Sequence, residues 1–529
     1  MTFMERLKFV WKGLRSVRAY AAAKMGRLTG DWLAVATSID ADIRSGMIPV
    51  RSRARDLSQN NEYAKAYLRA VKKNVIGSEG FKLQVKPIEY VDGQKKPDRL
   101  ATNILEQAFK EWSKPDTATV TGKVSFRKAQ EIVIETVARD GEAFIRLIRN
   151  ENINRFGFSL QLIEPDWIDE KLNYELPGGS VVRMGIEVDR WRRPVAYYLS
   201  TRNHTLDVYG NIFASAPHER IPADDMIHMF DPERADQTRG ISWMAPAMLG
   251  MHNLKGYIEA AIVNARSGAN KLGFFRNAAN TSGEYTGDGT DASGNKTLLC
   301  EPGSFEDIGD KEFTPYDPKY PEAQFDPFTK SILRGISAGL GVSFSSLSND
   351  LTEVNFSSIR AGLIEERETW KSIQSWMIES MLDRVYGEWL FMTLMVGAVN
   401  LPATKYRKFN APTWIGRRWA WVDPLKEVQA YKEAVAAGFK SATQIVAEGG
   451  GDIAELYAEM KAEKDLAKEY GLELDFGSGG TKNGKQGTDG SADVSGGGSG
   501  TADAGNPDGQ TGSGVGKGGG KVGRSLLLV

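Results

Sequence analysis

Ala143-Phe-Ile-Arg-Leu-Ile148 and Phe158-Ser-Leu-Gln-Leu-Ile163 are two short apolar runs separated by a polar turn at Asn150–Asn154. Aromatic and aliphatic runs of this length, bounded by Asn and Gly, read as strands. Glu164-Pro165-Asp166 closes the second run, because proline has no donor for a ladder. Val181–Val188 and Val195–Leu199 follow, separated by Arg190–Pro194. Short strands joined by short turns predict an antiparallel meander over 139–200.

Outward from this stretch the periodicity changes. Upstream, a helix is expected over Ile48–Asn74, stopping before Gly77. Phe3–Arg27 reads as a basic amphipathic helix, with Phe9, Val10, Leu14 and Val17 on one face. Downstream, helices are expected over Ile241–Leu272, over Pro327–Gly339 and from Ser358 to Met395. The last has an apolar stripe of Ile359, Leu363, Trp370, Ile373, Met377, Met381 and Val385. Val342–Ser357 is rich in Ser and Asn without a period and reads as an irregular loop. Thr297–Cys300 has a short strand signal. Three short helices close the patterned region. Asp423-Pro424 starts the first and Gly438 ends it. Ser441-Ala-Thr-Gln444 and Asp452-Ile-Ala-Glu455 are capping-box patterns for the other two, and Gly471 ends the last. Strands segregated from helices in this way indicate an α+β fold.

The chain has 529 residues, 41% hydrophobic and 26% charged, which excludes global disorder. Its 67 Lys/Arg and 68 Asp/Glu exclude a uniformly basic nucleic-acid binder. The balance is uneven, since residues 1–73 hold 15 basic against 6 acidic side chains. Glycine is uneven too: 19 of the 56 fall within 477–524, a tract too poor in apolar residues to order itself. The single Cys300 forms no intrachain disulfide, which fits a reducing compartment. The apolar run near Leu390–Leu401 is shorter than a membrane helix requires.

Catalytic constellations are sparse. Gly294-Asn-Lys-Thr297 lacks the glycine that a phosphate-cradling P-loop places before its lysine, and Gly514–Lys521 lacks the Ser/Thr. His204, His218, His228 and His252 include no pair with zinc-site spacing. Gly335-Ile-Ser337-Ala-Gly339 has the nucleophile-elbow pattern, but it falls at the end of an expected helix, with no histidine after it. Asp166, Asp169 and Glu170 are the acidic residues from which a metal-dependent nuclease could be built, a reading kept as an alternative. The balance favours an architectural or interaction protein.

Several segments carry a family resemblance. They are Arg53-Ala-Arg-Asp-Leu57 with Asn60-Asn61, Asn74-Val-Ile-Gly77, Asp140-Gly-Glu-Ala-Phe144 and Leu162-Ile-Glu-Pro-Asp166. Gly185-Ile-Glu-Val-Asp189, Arg193-Pro-Val-Ala-Tyr197, Ile221-Pro-Ala-Asp-Asp-Met-Ile-His228 and Arg239-Gly-Ile-Ser-Trp243 continue the series, and Asp423-Pro424, Gly438 and Ser441 end it. In this order, over about Tyr20 to Asp475, the chain resembles tailed-bacteriophage portal proteins of the lambda-like family.

The resemblance implies a portal-type fold with a mixed wing, helical stem, small clip and helical crown, assembling as a ring of about twelve copies at one capsid vertex. Residues 1–30 would be the basic N-terminal helix and 31–240 the wing. The stem helices would be 241–271 and 327–341, flanking a clip at 272–326. A tunnel loop at 342–357, a long helix and return through the wing at 358–424, a crown at 425–475 and a Gly-rich tail at 476–529 would complete the chain. Double-stranded DNA would enter and leave through the channel, driven by the terminase large subunit. Other partners would be the major capsid protein or scaffold and the head-tail connector proteins. No enzymatic activity, cofactor, metal or membrane partner is implied, and the expected location is the virion, after assembly in the host bacterial cytoplasm.

A conduit must keep phosphates centred without holding them. Lys255 and Arg266, eleven residues apart and so on one helical face, are candidate channel cations, with Lys330 and Arg334 from the second stem helix. Their alternative role is in ordinary salt bridges. Ser343, Ser345, Ser346, Ser348 and Asn349 would give the tunnel loop small polar side chains, and Asp350 and Glu353 would repel phosphate. A non-portal head-assembly adaptor or scaffold-like protein is the alternative to the portal reading.

Overall fold

The computed structural model describes residues 36–91, 94–200, 218–270, 273–277, 289–290, 294, 296–297, 311–315, 324–352, 356–419, 424–449, 451 and 453–471. The expected N-terminal helix, Cys300, Glu353, Asp452 and the Gly-rich tail lie outside them. The chain divides into two units, Met1–Leu456 and Tyr457–Val529. Among the described residues, no helix is long and apolar enough to cross a membrane.

The helix expected over Ile48–Asn74 is two helices, α1 (Ile39–Asn60) and α2 (Glu62–Val75). Asn61 breaks them. Its backbone is extended, and its side chain accepts from the amides of Tyr63 and Ala64, capping α2. A cap satisfies orphan amides that a continuous helix would not have. Strands β1 (Lys82–Val85), β2 (Ile88–Val91) and β3 (Gln94–Pro97) follow, then helices α3 (Arg99–Trp112) and α4 (Phe126–Asp140). Gly141 ends α4 with φ 97°, a conformation that suits glycine.

The expected meander is two antiparallel sheets rather than one. Strands β4 (Glu142–Arg149) and β5 (Phe158–Ile163) pair with the later β11 (Met226–Phe230) in the order β11-β4-β5. The other sheet holds β6 (Tyr174–Glu175), β7 (Val181–Arg183), β8 (Ile186–Val188), β9 (Pro194–Ser200) and β10 (His218–Pro222), in the order β10-β9-β8-β7-β6. The run Val181–Val188 is therefore a hairpin. Met184 and Gly185 have φ 48° and 79°, the paired positive values of a tight two-residue turn.

Helix α5 (Ala245–Asn270) leads to β12 (Gly273–Asn277), β13 (Gly289–Thr290), β14 (Lys296–Thr297) and β15 (Lys311–Pro315), and α6 (Phe325–Leu340) returns. Helices α5 and α6 are antiparallel: Gly339 lies against Ala247, Gly250 against Ile336, and Tyr257 against Phe325 and Phe328. β12 pairs antiparallel with β15, and β13 with β14. Within 245–340 the described elements thus form nested antiparallel pairs.

Next come α7 (Phe344–Ser348) and α8 (Phe356–Met377), a π turn at Ile378–Leu382, and α9 (Asp383–Val396). Of the expected stripe, Trp370, Met377, Met381 and Val385 are buried, so its packing face continues through the π turn. β16 (Pro412–Ile415) returns to pair with β1 across more than 300 residues of sequence. Helices α10 (Pro424–Ala436), α11 (Ala442–Glu448) and α12 (Ile453–Glu469) follow, and Ser441 with Gln444 forms the expected capping box.

The main core is aromatic. Phe109 meets Trp389 edge-on at 5.0 Å between centroids, and Trp112 lies 5.2 Å from Phe126. The Trp112 indole also donates to the Phe158 carbonyl at 2.9 Å, fixing α3 on β5. A second core of Ile168, Ile186, Val188, Tyr197 and Leu199 underlies the five-stranded sheet.

Candidate functional site

The α5–α6 hairpin is the first part of the site. Ala247, Met251, Leu254 and Ala261, at steps of four, three and seven residues on α5, are buried, with Leu333, Ile336 and Leu340 buried on α6. Lys255 and Arg266 are both exposed on α5. Eleven residues at 1.5 Å per residue separate them by about 16 Å along the axis. Lys255 Nζ donates to the Asn60 carbonyl at 3.0 Å, at the end of α1. On α6, Lys330 is largely covered and pairs with Asp326 at 3.0 Å and Asp350 at 3.6 Å. Arg334 is exposed and its guanidinium lies 5.5 Å from the Phe344 ring.

The segment after α6 corrects the expectation of an irregular loop. Ser343 caps the five-residue α7 by accepting from the Ser346 amide, and Leu347 is buried in the core. Ser346 donates to the Glu366 carboxylate at 2.8 Å, and Ser348 donates to the Phe344 carbonyl. Ser343 Oγ also lies 3.2 Å from Ser345 Oγ. Asn349 ends the turn with φ 55°, and Asp350 accepts from the amide and hydroxyl of Thr352. These polar side chains look like loop residues in sequence because Ser and Asn bond to nearby backbone, which also lets them close a short capped turn.

At the root of the hairpin lies a buried charge network that sequence reasoning missed. Glu142 opens β4, and Arg239 immediately precedes the approach to α5. Both are fully buried. Arg239 Nε lies 2.9 and 2.8 Å from the two Glu142 carboxylate oxygens, and its Nη2 donates to one of them at 2.6 Å. Its Nη1 donates to the Met184 carbonyl at 2.6 Å, which ties in the β7–β8 turn. Glu142 also accepts from Arg51 at 2.8 Å and from the Gly240 amide at 3.2 Å. His228 Nε2 lies 3.0 Å from Glu142, and its ring stacks on Phe144 at 4.3 Å. Burial alone would push the Glu142 carboxyl up. The Arg239 charge, with the His228 and Arg239 hydrogen bonds and Arg51, instead holds it well below the carboxylate range. Burial pushes His228 down against the pull of Glu142, keeping the imidazole neutral.

Arg51 and Arg55 extend the network one turn along α1. Arg51 bonds one Asp166 oxygen at 2.8 Å, and Arg55 bonds the other. Arg55 also reaches Asp140 at 2.8 Å, beside Arg139. Both Asp166 oxygens are taken by guanidinium groups, which counts against their use as metal ligands in the nuclease alternative. Among the described residues no group of three His, Cys, Asp or Glu is placed to hold a metal. Ser337, the centre of the elbow pattern, is buried inside α6 and donates to the Leu333 carbonyl, so it is a helix residue.

The backbones at this joint nearly touch. A Cβ on Gly240 would fall 2.1 Å from the Gly141 carbonyl oxygen. The quoted segments 53–57, 140–144, 162–166, 221–228 and 239–243 thus converge on one place, where the two antiparallel sheets meet the approach to α5.

The model of the family described as "Phage portal protein, lambda family" matches residues 25–374. The chain belongs to that family. Among curated portal proteins, it is 34% identical over 465 residues to the "Probable portal protein" of Halomonas phage phiHAP-1, covering 87% of this chain and 89% of the relative. It is 24% identical to "Portal protein B" of Escherichia phage lambda, covering 87% of this chain and 92% of that one. A chain in the neck of an empty GTA particle aligns over 77% of this chain and 94% of its own, with 13% identity and a TM-score of 0.42. Within a portal-family chain, the glycine crossing and the Glu142–Arg239 pair mark where the α5–α6 hairpin is anchored.

Proposed function

We propose that this chain is the portal subunit of a tailed phage: copies form a ring at one capsid vertex, and double-stranded DNA passes through its bore. Family membership supports the general reading. The observation that carries the ring is the surface of the hairpin. Leu249 is 70% exposed, Val263 55%, Phe328 50% and Ile262 47%, on an element already packed on its inner face. Apolar side chains at these levels along one element are suited to burial against further copies.

In this reading α5 and α6 are the stem, 272–326 the clip, and the capped turn Ser343–Asp350 the tunnel constriction. Lys255 and Arg266 face the bore as exposed cations. Lys330, neutralised by Asp326 and Asp350, contributes less charge than its sequence suggests. The terminase large subunit would dock on the clip during packaging, and connector proteins would dock there afterwards. The wing and helices α10–α12 would meet the capsid protein or scaffold. Negative-stain imaging of the purified chain tests the proposal. A closed ring with a central hole, about twelve-fold, is expected, and a monomer or an unclosed assembly under assembly conditions rejects it in favour of an adaptor or scaffold-like role.

A further inference from the structure

A cleft of about 260 Å³ lies between the turn after α2 and the segment after β16, far in sequence from the stem. Gly77, Ser78 and Gly80 line one side, and Gly416, Arg417 and Arg418 the other. Gly77 and Gly80 have φ 73° and 77°, so both turn positions favour glycine, and their missing side chains let Arg417 pack against Gly77 and Arg127 against Gly80. Trp419 lies beside two guanidiniums, Arg417 at 5.7 Å and Arg367 at 5.9 Å from its ring.

The lining of the cleft carries three cations, Lys82, Arg417 and Arg418, against one carboxylate, Glu79. Arg417 donates to the Asn74 side-chain oxygen at 2.7 Å and to the Lys73 carbonyl, both neutral acceptors. Among the described residues no carboxylate forms an ion pair with Arg417 or Arg418. Glu79 pairs with Lys82 at 2.5 Å, and Glu448 pairs with Lys440 at 2.8 Å while also being stabilised by the Arg418 charge. Partial burial, and then the neighbouring Arg367 charge, push the Arg417 guanidinium down from its ordinary value. Partly buried cations ordinarily have a counter-charge, and guanidinium forks match phosphate oxygens in geometry.

We infer that this cleft is a second phosphate-backbone site for double-stranded DNA, built by Arg417 and Arg418 against the Gly77–Gly80 turn and separate from the stem. The inference rests on the portal reading, in which DNA is the polyanion the ring handles. The site would take backbone phosphate without reading bases, because positive charge is what its lining offers.

The test measures binding of a short DNA duplex to the assembled full-length chain over a salt series. Three variants are compared: Arg418→Ala, Arg417→Ala/Arg418→Ala, and Lys255→Ala/Arg266→Ala. Arg418 is exposed, so its replacement leaves packing intact even if loss of Arg417 disturbs the Asn74 turn. Arg418→Ala is expected to weaken binding and to lower the slope of log K against log salt by about 1 for each engaged subunit, and the double variant by about 2. The stem variant should lower the slope separately and additively. An unchanged slope for both arginine variants overturns the site. So does loss of the ring in Arg418→Ala, which would assign the guanidinium to a neighbouring subunit's carboxylate. A rise in melting temperature with inorganic phosphate that is abolished in Arg418→Ala, with DNA binding unaltered, would assign the cleft to a free anion and overturn the DNA reading. Imaging the same wild-type sample reports on the ring itself, so failure of the portal reading is seen independently.

Discussion

Gly141 and Gly240, 99 residues apart, cross so closely that neither tolerates a side chain. A Cβ on Gly141 would lie 2.3 Å from the Ile241 carbonyl carbon, and one on Gly240 would lie 2.1 Å from the Gly141 oxygen. The obstructing atoms are backbone, which cannot rotate away as a flexible side chain could. Gly240→Ala should therefore destabilise the chain by on the order of 3 kcal/mol or more, as overpacking against fixed atoms does at its worst. Urea unfolding of the purified variant measures this. A change below about 0.5 kcal/mol, the level of a neutral surface substitution, would mean that the crossing relaxes.

The Glu142–Arg239 pair beside it responds asymmetrically to mutation. Glu142→Gln leaves Arg239 and Arg51 buried without their shared counter-charge. Losses of about 3–5 kcal/mol are expected when one partner of a buried pair is removed. Lys371→Ala removes a pair with Glu368 in which both side chains are well exposed, 45% and 66%, and it should cost well under about 1 kcal/mol. Parallel denaturation of the two variants tests whether burial, rather than the number of ion pairs, sets the cost.

Acid should loosen the same joint through two groups that act in one direction. His228 is held neutral, below its ordinary 6.5. The unfolded chain therefore takes up a proton that the folded chain refuses, and stability falls as pH drops below about 6.5. Glu142 is depressed in the fold, so its contribution is full above its ordinary 4.5 and declines below that as pH falls toward the folded value. The urea midpoint should fall between pH 7 and 5, and His228→Gln should flatten that limb while leaving the decline below 4.5 in place.

The capped turn after α6 offers a local test. Ser346→Ala removes one of the two hydrogen bonds that reach Glu366, which is buried and otherwise accepts from the Trp370 indole at 3.3 Å. The expected cost is about 1–3 kcal/mol, since a buried carboxylate loses a donor. Hydrogen exchange should quicken at 343–348 in this variant, with the β4–β5 amides unchanged.

The proposed channel cations are tested by function. Lys255→Ala/Arg266→Ala should leave ring assembly intact and reduce the salt sensitivity of DNA packaging in an assay supplied with terminase. Lys330→Ala should have the smaller effect, because Asp326 and Asp350 already offset its charge. Equal effects would show that these ion pairs do not persist in the ring.

Features that depend on neighbours in sequence were legible without the structure. β5 occupies the expected Phe158–Ile163, α5 and α6 fall within a few residues of their expected spans, and the Ser441 capping box forms. Each is decided by periodicity or by a cap a few residues away, which short-range physics specifies. The family was legible for a related reason, since its motifs are contiguous segments in a fixed order.

Only the tertiary structure decided what those segments do together. Nothing near Glu142 in sequence announces that its counter-charges are Arg239 and Arg51. Nor does anything near Lys82 show that its strand pairs with Pro412–Ile415. Two further boundaries escaped the pattern because single residues set them: Asn61 as a cap between α1 and α2, and the left-handed Met184-Gly185 turn inside a run of strand formers. Sequence by itself determined which residues prefer helix or strand, and which family the chain resembles. The fold decided which distant charges share a buried interior and which, at Arg417, meet only neutral hydrogen-bond acceptors among the described residues. Charge pairing and burial depend on distance in space, and distance in sequence does not encode it.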